Sequence, residues 1–145
     1  MKVFTIGCAG RKAEEFVQEL SKAGVRTVVD VRSFAGDDSL EPSAPQADPE
    51  SDIRLLLSSR GIGYRLLAAL GNIFLECDDW RERYALFLGR IGDLLVTKLE
   101  GLDEPLCLLG GEPRAADCHR IIIASFLASR GHQIAHLEAG PETLQ

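Results

Sequence analysis

RTVVDV, residues 26–31, is the stretch on which the fold turns. Its apolar positions run together instead of alternating, and Val28, Val29 and Val31 are β-branched, which is the pattern of a strand buried on both faces. Such a strand needs helices above and below it, and the flanking chain supplies them. Toward the N-terminus, Lys2–Ile6 reads as a strand and Arg11–Ala23 as an amphipathic helix, with Phe16, Val17, Leu20 and Ala23 on one face and Gly24 as its stop. Toward the C-terminus, Ile53–Arg60 reads as a short helix and Gly63–Leu66 as a short strand. A long helix from Trp80 to Leu99 follows, capped by Asp78 or Asp79, with Tyr84, Phe87, Leu88, Ile91, Leu94 and Leu95 at helical spacing. Trp80 is expected in the core. Pro105–Leu109 is the fourth strand, Asp117–Ser129 a helix closed by Gly131, and Gln133–Leu137 the last strand.

Five short apolar strands alternating with helices predict an α/β fold: a mainly parallel five-stranded sheet with helices on both faces and right-handed crossovers, a Rossmann-like three-layer arrangement. A chain of 145 residues, 46% apolar, suits one such domain spanning 1–145. No apolar run approaches the roughly 18–20 residues of a membrane span, and the N-terminus enters a strand directly. Four cysteines, Cys8, Cys77, Cys107 and Cys118, sit in a chain that needs no stapling, so free thiols in the cytoplasm are expected.

The net charge of -6 has a definite address. Residues 33–52 hold six carboxylates (Asp37, Asp38, Glu41, Asp48, Glu50, Asp52) and no Lys or Arg, leaving 16 acids against 16 bases elsewhere. The segment 34–51, rich in proline and acid, reads as a disordered loop. The balanced remainder offers no broad basic face for duplex nucleic acid, while leaving room for a pocket that takes one small anion.

In a parallel sheet, ligands bind beyond the carboxyl ends of the strands. There the sequence has Gly7-Cys8-Ala9-Gly10-Arg11 after the first strand, Asp30 and Arg32 at the second, and Gly110-Gly111-Glu112 followed by Cys118-His119-Arg120 after the fourth. The glycine turn before the first helix could hold an anion with Arg11, or serve geometry alone. It lacks both the Gly-Lys-Ser/Thr ending of a P-loop and a full GxGxxG, so no nucleoside triphosphate, dinucleotide or other cofactor is indicated. Asp30 and Arg32 share a face and form either a structural ion pair or a substrate clamp.

With Asp117 as a helix N-cap, Cys118 would lie in the first turn, where the helix dipole and Arg120 favour the thiolate. His119 falls on another face and is expected to turn to a backbone or carboxylate partner, so a base for Cys118 would come from another segment. The alternative for Cys118 is a small buried hydrophobe. Adjacent Cys118 and His119 are poorly placed to share a metal, and no metal is assigned, although a site from Cys8, Cys118 and His119 or His136 is conceivable.

Taken in order, Thr5-Ile6-Gly7, Glu14-Glu15-Phe16, Val29 to Ser33 (VDVRS), Gly61 to Tyr64 (GIGY), Leu70-Gly71, Cys118-His119-Arg120 with Ile123-Ala124, and Arg130 to His136 resemble the DUF488 family over nearly the whole chain. The resemblance implies a cytoplasmic protein whose Asp30, Arg32, Glu112, Cys118, His119 and Arg120 surround one pocket. It also marks departures: TIGCA at Thr5–Ala9 where the family usually has TIGHS, the acidic loop after DVRS, and Leu109-Gly110-Gly111-Glu112 where it usually has LCAE. The expected function is binding of a small anionic ligand, a nucleotide or phosphorylated metabolite, with Cys118, Glu112 and Asp30 as catalytic candidates and Arg11, Arg32, His119, Arg120 and Cys8 as ligand contacts. The chemistry expected is cysteine-dependent transfer or hydrolysis. A non-catalytic binding or regulatory module that has lost family site residues is the alternative.

Overall fold

A computed structural model describes residues 1–32 and 49–138, the side chains of 49–52 excepted. The elements are β1 (Lys2–Gly7), α1 (Ala13–Ala23), β2 (Thr27–Asp30), α2 (Pro49–Ser58), β3 (Gly63–Leu66), α3 (Trp80–Glu100), β4 (Leu106–Gly110), α4 (Arg120–Ser129) and β5 (Gln133–Leu137). Short 3-10 turns occupy Ala68–Leu70 and Ala115–Asp117. The sheet order is β3-β2-β4-β1-β5, and every pairing is parallel.

That order fixes the layers. The chain steps toward one edge from β1 to β2 to β3 and toward the other from β3 to β4 to β5, so right-handed crossovers put α1 and α2 on one face and α3 and α4 on the opposite one. Side chains follow suit. Phe16, Val17, Leu20, Ile53 and Leu57 pack with Phe4, Ile6, Val28, Cys107 and Leu109. Tyr84, Leu88, Leu95, Leu99, Ile123 and Leu127 pack with Val3, Val29, Leu106 and Leu108. β4 is central and buried throughout, sending alternate residues to the two cores.

Several boundaries differ from the sequence reading. α2 begins at Pro49, so the last residues of the expected loop 34–51 are helical, because proline is pre-organised for the first helical position. The expected disorder of 34–48 lies outside the described residues. Asp79 stands at the N-cap of α3 but makes no side-chain cap; its carboxylate accepts from Arg83 Nε at 2.7 Å instead. Trp80 is half-buried instead of core, with the Arg81 guanidinium 4.4 Å above its ring. α4 begins at Arg120, three residues beyond Asp117, because residues 115–117 close a 3-10 turn and Cys118 is extended (φ -124°, ψ 147°).

β1 and β4 are neighbours whose chains depart to opposite faces, which opens a crevice at their carboxyl ends. The pairing continues past both strands, with Cys8 N–H donating to Gly110 C=O (3.1 Å) and Ala9 N–H to Gly111 C=O (2.9 Å). Gly7 is required here: a Cβ would sit 1.9 Å from the Glu112 carbonyl oxygen, so only glycine lets the segment after β4 lie across the end of β1. Among the described residues, no helix is long and apolar enough to cross a membrane.

Candidate functional site

Two polar clusters lie at the carboxyl edge of the sheet. In the first, Asp30, fully buried at the end of β2, accepts from the Arg32 backbone N–H (3.1 Å) and Nε (2.9 Å) at Oδ1, and from Arg32 Nη2 (2.7 Å) and the Tyr64 hydroxyl (2.6 Å) at Oδ2. Arg32 Nη1 reaches the Cys8 sulfur at 3.5 Å. Burial opposes the Arg32 charge, but hydrogen bonding and charge attraction to Asp30 overcome it and raise its pKa above the usual guanidinium value. Both Asp30 oxygens are engaged, and the carboxylate holds the Arg32 guanidinium in place.

The second cluster surrounds Cys118. His119 donates from Nε2 to the Val31 carbonyl at 2.7 Å, and its Nδ1 lies 3.8 Å from the Cys118 sulfur. Burial holds His119 below its ordinary pKa, so at neutral pH the ring is uncharged and Nδ1 is an acceptor facing the thiol. The expectation of a backbone partner for His119 therefore holds, while the expectation that it would turn away from Cys118 does not. One ring serves both, because Cys118 is extended and not in a helical turn. The Tyr84 ring meets the imidazole edge-on at 5.1 Å.

Burial pushes the Cys118 thiol up, against the Arg120 guanidinium and the Arg120 backbone N–H that donates to the sulfur; the Glu112 carboxylate pushes it up again. The net direction is opposite to the lowering expected from a helix start. At 1% exposure, desolvation of the thiolate outweighs the dipole and the nearby cation.

Arg120 is fully buried. It donates from Nε to Thr5 Oγ1 (3.2 Å), from Nη1 to the Glu112 carbonyl, and from Nη2 to the Pro113 carbonyl (3.2 Å). Among the described residues no ion pair joins it to a carboxylate. Thr5 also meets His136 Nδ1 at 2.6 Å. Gly110 lies against both groups: a Cβ there would be 2.5 Å from the Cys118 sulfur and 3.2 Å from Arg120 Cδ.

Arg11 stands apart from these. Its Nε donates to the Gly7 carbonyl (2.8 Å) and its Nη2 to the Leu137 carbonyl (3.1 Å), tying together the ends of β1 and β5. The conceivable metal set does not assemble: Cys8 is held against Arg32 and His136 against Thr5, and among the described residues no group of three or more His, Cys, Asp or Glu could hold a metal ion. None of the four cysteines is joined in a disulfide.

Sequence reading missed Tyr64, Thr5 and Tyr84. Thr5 carried a signal, since a lone hydroxyl inside the apolar strand KVFTIG must find a partner. Tyr64 and Tyr84 carried none, because their contacts depend on β3 pairing with β2 and α3 lying on the β4 side.

Neither the curated proteins nor the solved structures include a match to this sequence. The family model described as Domain of unknown function DUF488 matches residues 12–127, which takes in α1 through most of α4 and both polar clusters except Thr5, Cys8, Arg11 and His136. The chain therefore belongs to the DUF488 family.

Proposed function

We propose that this protein binds a small anionic ligand, a nucleotide or phosphorylated metabolite, beside Cys118 and uses the thiol for transfer or hydrolysis. The observation that carries the reading is Arg120: a fully buried guanidinium whose hydrogen bonds go to neutral oxygens. An unpaired buried charge costs several kcal/mol, of order 3–5 when a partner is removed, and an anion at this point offsets it. Cys118 is the nucleophile, and His119, oriented by the Val31 carbonyl, is the base that takes its proton at Nδ1. Glu112, whose carboxylate lies beside the thiol, is the further acid–base candidate, and the proton that His119 takes from Cys118 is the one available to the leaving group. Asp30 acts through Arg32, which with Cys8 lines one side of the crevice, while Arg11 braces the end of β1 against β5. Cysteines without disulfides suit a reducing cytoplasm, and the balanced charge of the body suits one ligand in a pocket rather than a duplex.

One observation favours a second reading, a non-catalytic binding module: the resting thiol is buried and held protonated. Iodoacetamide labelling of each cysteine, read by mass spectrometry over a pH series with and without inorganic phosphate or adenosine monophosphate, tests both. The proposal expects Cys118 to react in the native protein, above the ordinary thiol range, and to be protected by an anion. Protection that persists at Arg32 and Arg120 amide resonances in Cys118→Ser without any turnover supports the module. A Cys118 that stays inert until unfolding and ignores every anion removes both.

A further inference from the structure

A cavity of about 250 Å³ opens on the α3 face of the sheet, lined by none of the polar residues of the two clusters. Its walls are Leu66 at the end of β3, the turn Leu67–Leu70, and Ile91, Leu94 and Leu95 of α3; among the described residues Lys98 is the only charged one that lines it. The hollow exists because Ala68 and Ala69 stand where larger side chains would fill the space between the turn and the helix. Its floor is core, with Leu70 at 4% and Leu95 at 2% exposure, whereas Leu94 at the mouth is 57% exposed. An apolar cleft with a charged group at its edge has the general form of a small-molecule site.

We propose that this cleft binds a linear amphiphile with an anionic head, of the medium-chain carboxylate class. The apolar tail lies between the alanine turn and α3, and the carboxylate meets the Lys98 ammonium one helical turn beyond Leu94. A cleft of this size takes a short alkyl chain with its head outside. Among the described residues Lys98 has no carboxylate partner, which leaves its charge for the ligand. Cys118 does not line it.

Titration of the full chain with octanoate, followed by amide chemical shifts, tests it. Saturable shifts confined to residues 66–70 and 91–98 are expected, with 1-octanol binding more weakly. Lys98→Glu weakens octanoate about three- to five-fold, the range of an exposed ion pair with the loss of attraction. Ala69→Leu, which places a larger side chain in the hollow from an exposed position, abolishes saturation. Shifts that stay linear in octanoate, equal binding of octanol, an unchanged response in Ala69→Leu, or a dimer in sedimentation equilibrium that covers Leu94 would each overturn the proposal.

Discussion

At the scale of single residues, the site is governed by what each group gives up on burial. Tyr64 donates to a carboxylate that is already bound to Arg32, and hydrogen bonds to charged groups are worth about 1.5–3 kcal/mol. Tyr64→Phe should lose about that much, read by urea unfolding; a change within experimental scatter would place the strength of the clamp in Arg32 alone. Gly110→Ala brings a methyl to 2.5 Å from the Cys118 sulfur, where overpacking costs about 1–3 kcal/mol, and should also change the Cys118 labelling rate. His119 and His136 are both held below the ordinary value of 6.5, chiefly by burial. The folded protein then binds fewer protons than the unfolded chain once pH drops below about 6.5. Stability is full above that value and falls as the pH goes down through the folded-state values. Urea midpoints across pH should show this decline, and His119→Gln should flatten it.

At the scale of elements, α3 supplies a matched pair of tests. Gly89 and Gly92 both lie inside the helix, where alanine is favoured by roughly 0.8–1 kcal/mol. A Cβ at Gly89 meets nothing within 4 Å, so Gly89→Ala should stabilise the protein by about that amount. At Gly92 it would sit 2.1 Å from Phe126 of α4, beneath the Arg130 guanidinium stacked 4.7 Å from that ring, so Gly92→Ala should destabilise. Thermal unfolding of the two variants in opposite directions would establish that the α3–α4 crossing depends on this glycine. Equal gains would show that Phe126 swings aside. The shifted helix starts belong to this scale as well. Asp117 is the helix N-cap on the sequence reading, whereas it closes a 3-10 turn over Ala115–Asp117 that leaves Cys118 extended beside His119.

At the scale of the whole molecule, the sheet separates two cores that share a backbone but no side-chain layer. Ile53→Val on one face and Ile123→Val on the other should each cost about 0.5–1.5 kcal/mol. In the double variant the costs should add within about 0.5 kcal/mol, because the sites have no common partner. A larger coupling would mean that β4, which feeds both cores, transmits strain across the sheet.

The alternation of strands and helices was legible from residues 1–138 because it follows from periodicity and turn residues, which are local properties. β3 and β5 fall at the expected residues, Gly63–Leu66 and Gln133–Leu137, and Gly24 ends α1 in the left-handed conformation that glycine alone adopts easily. The polar residues at the strand ends were legible too, since charge amid apolar sequence is conspicuous. Strand order was not, because pairing joins residues far apart in the chain: Thr5 meets His136, and Val31 meets His119. The protonation of Cys118 was set by the same distant contacts, as the direction of its shift depends on how much water the surrounding elements exclude, and only the folded structure decides that.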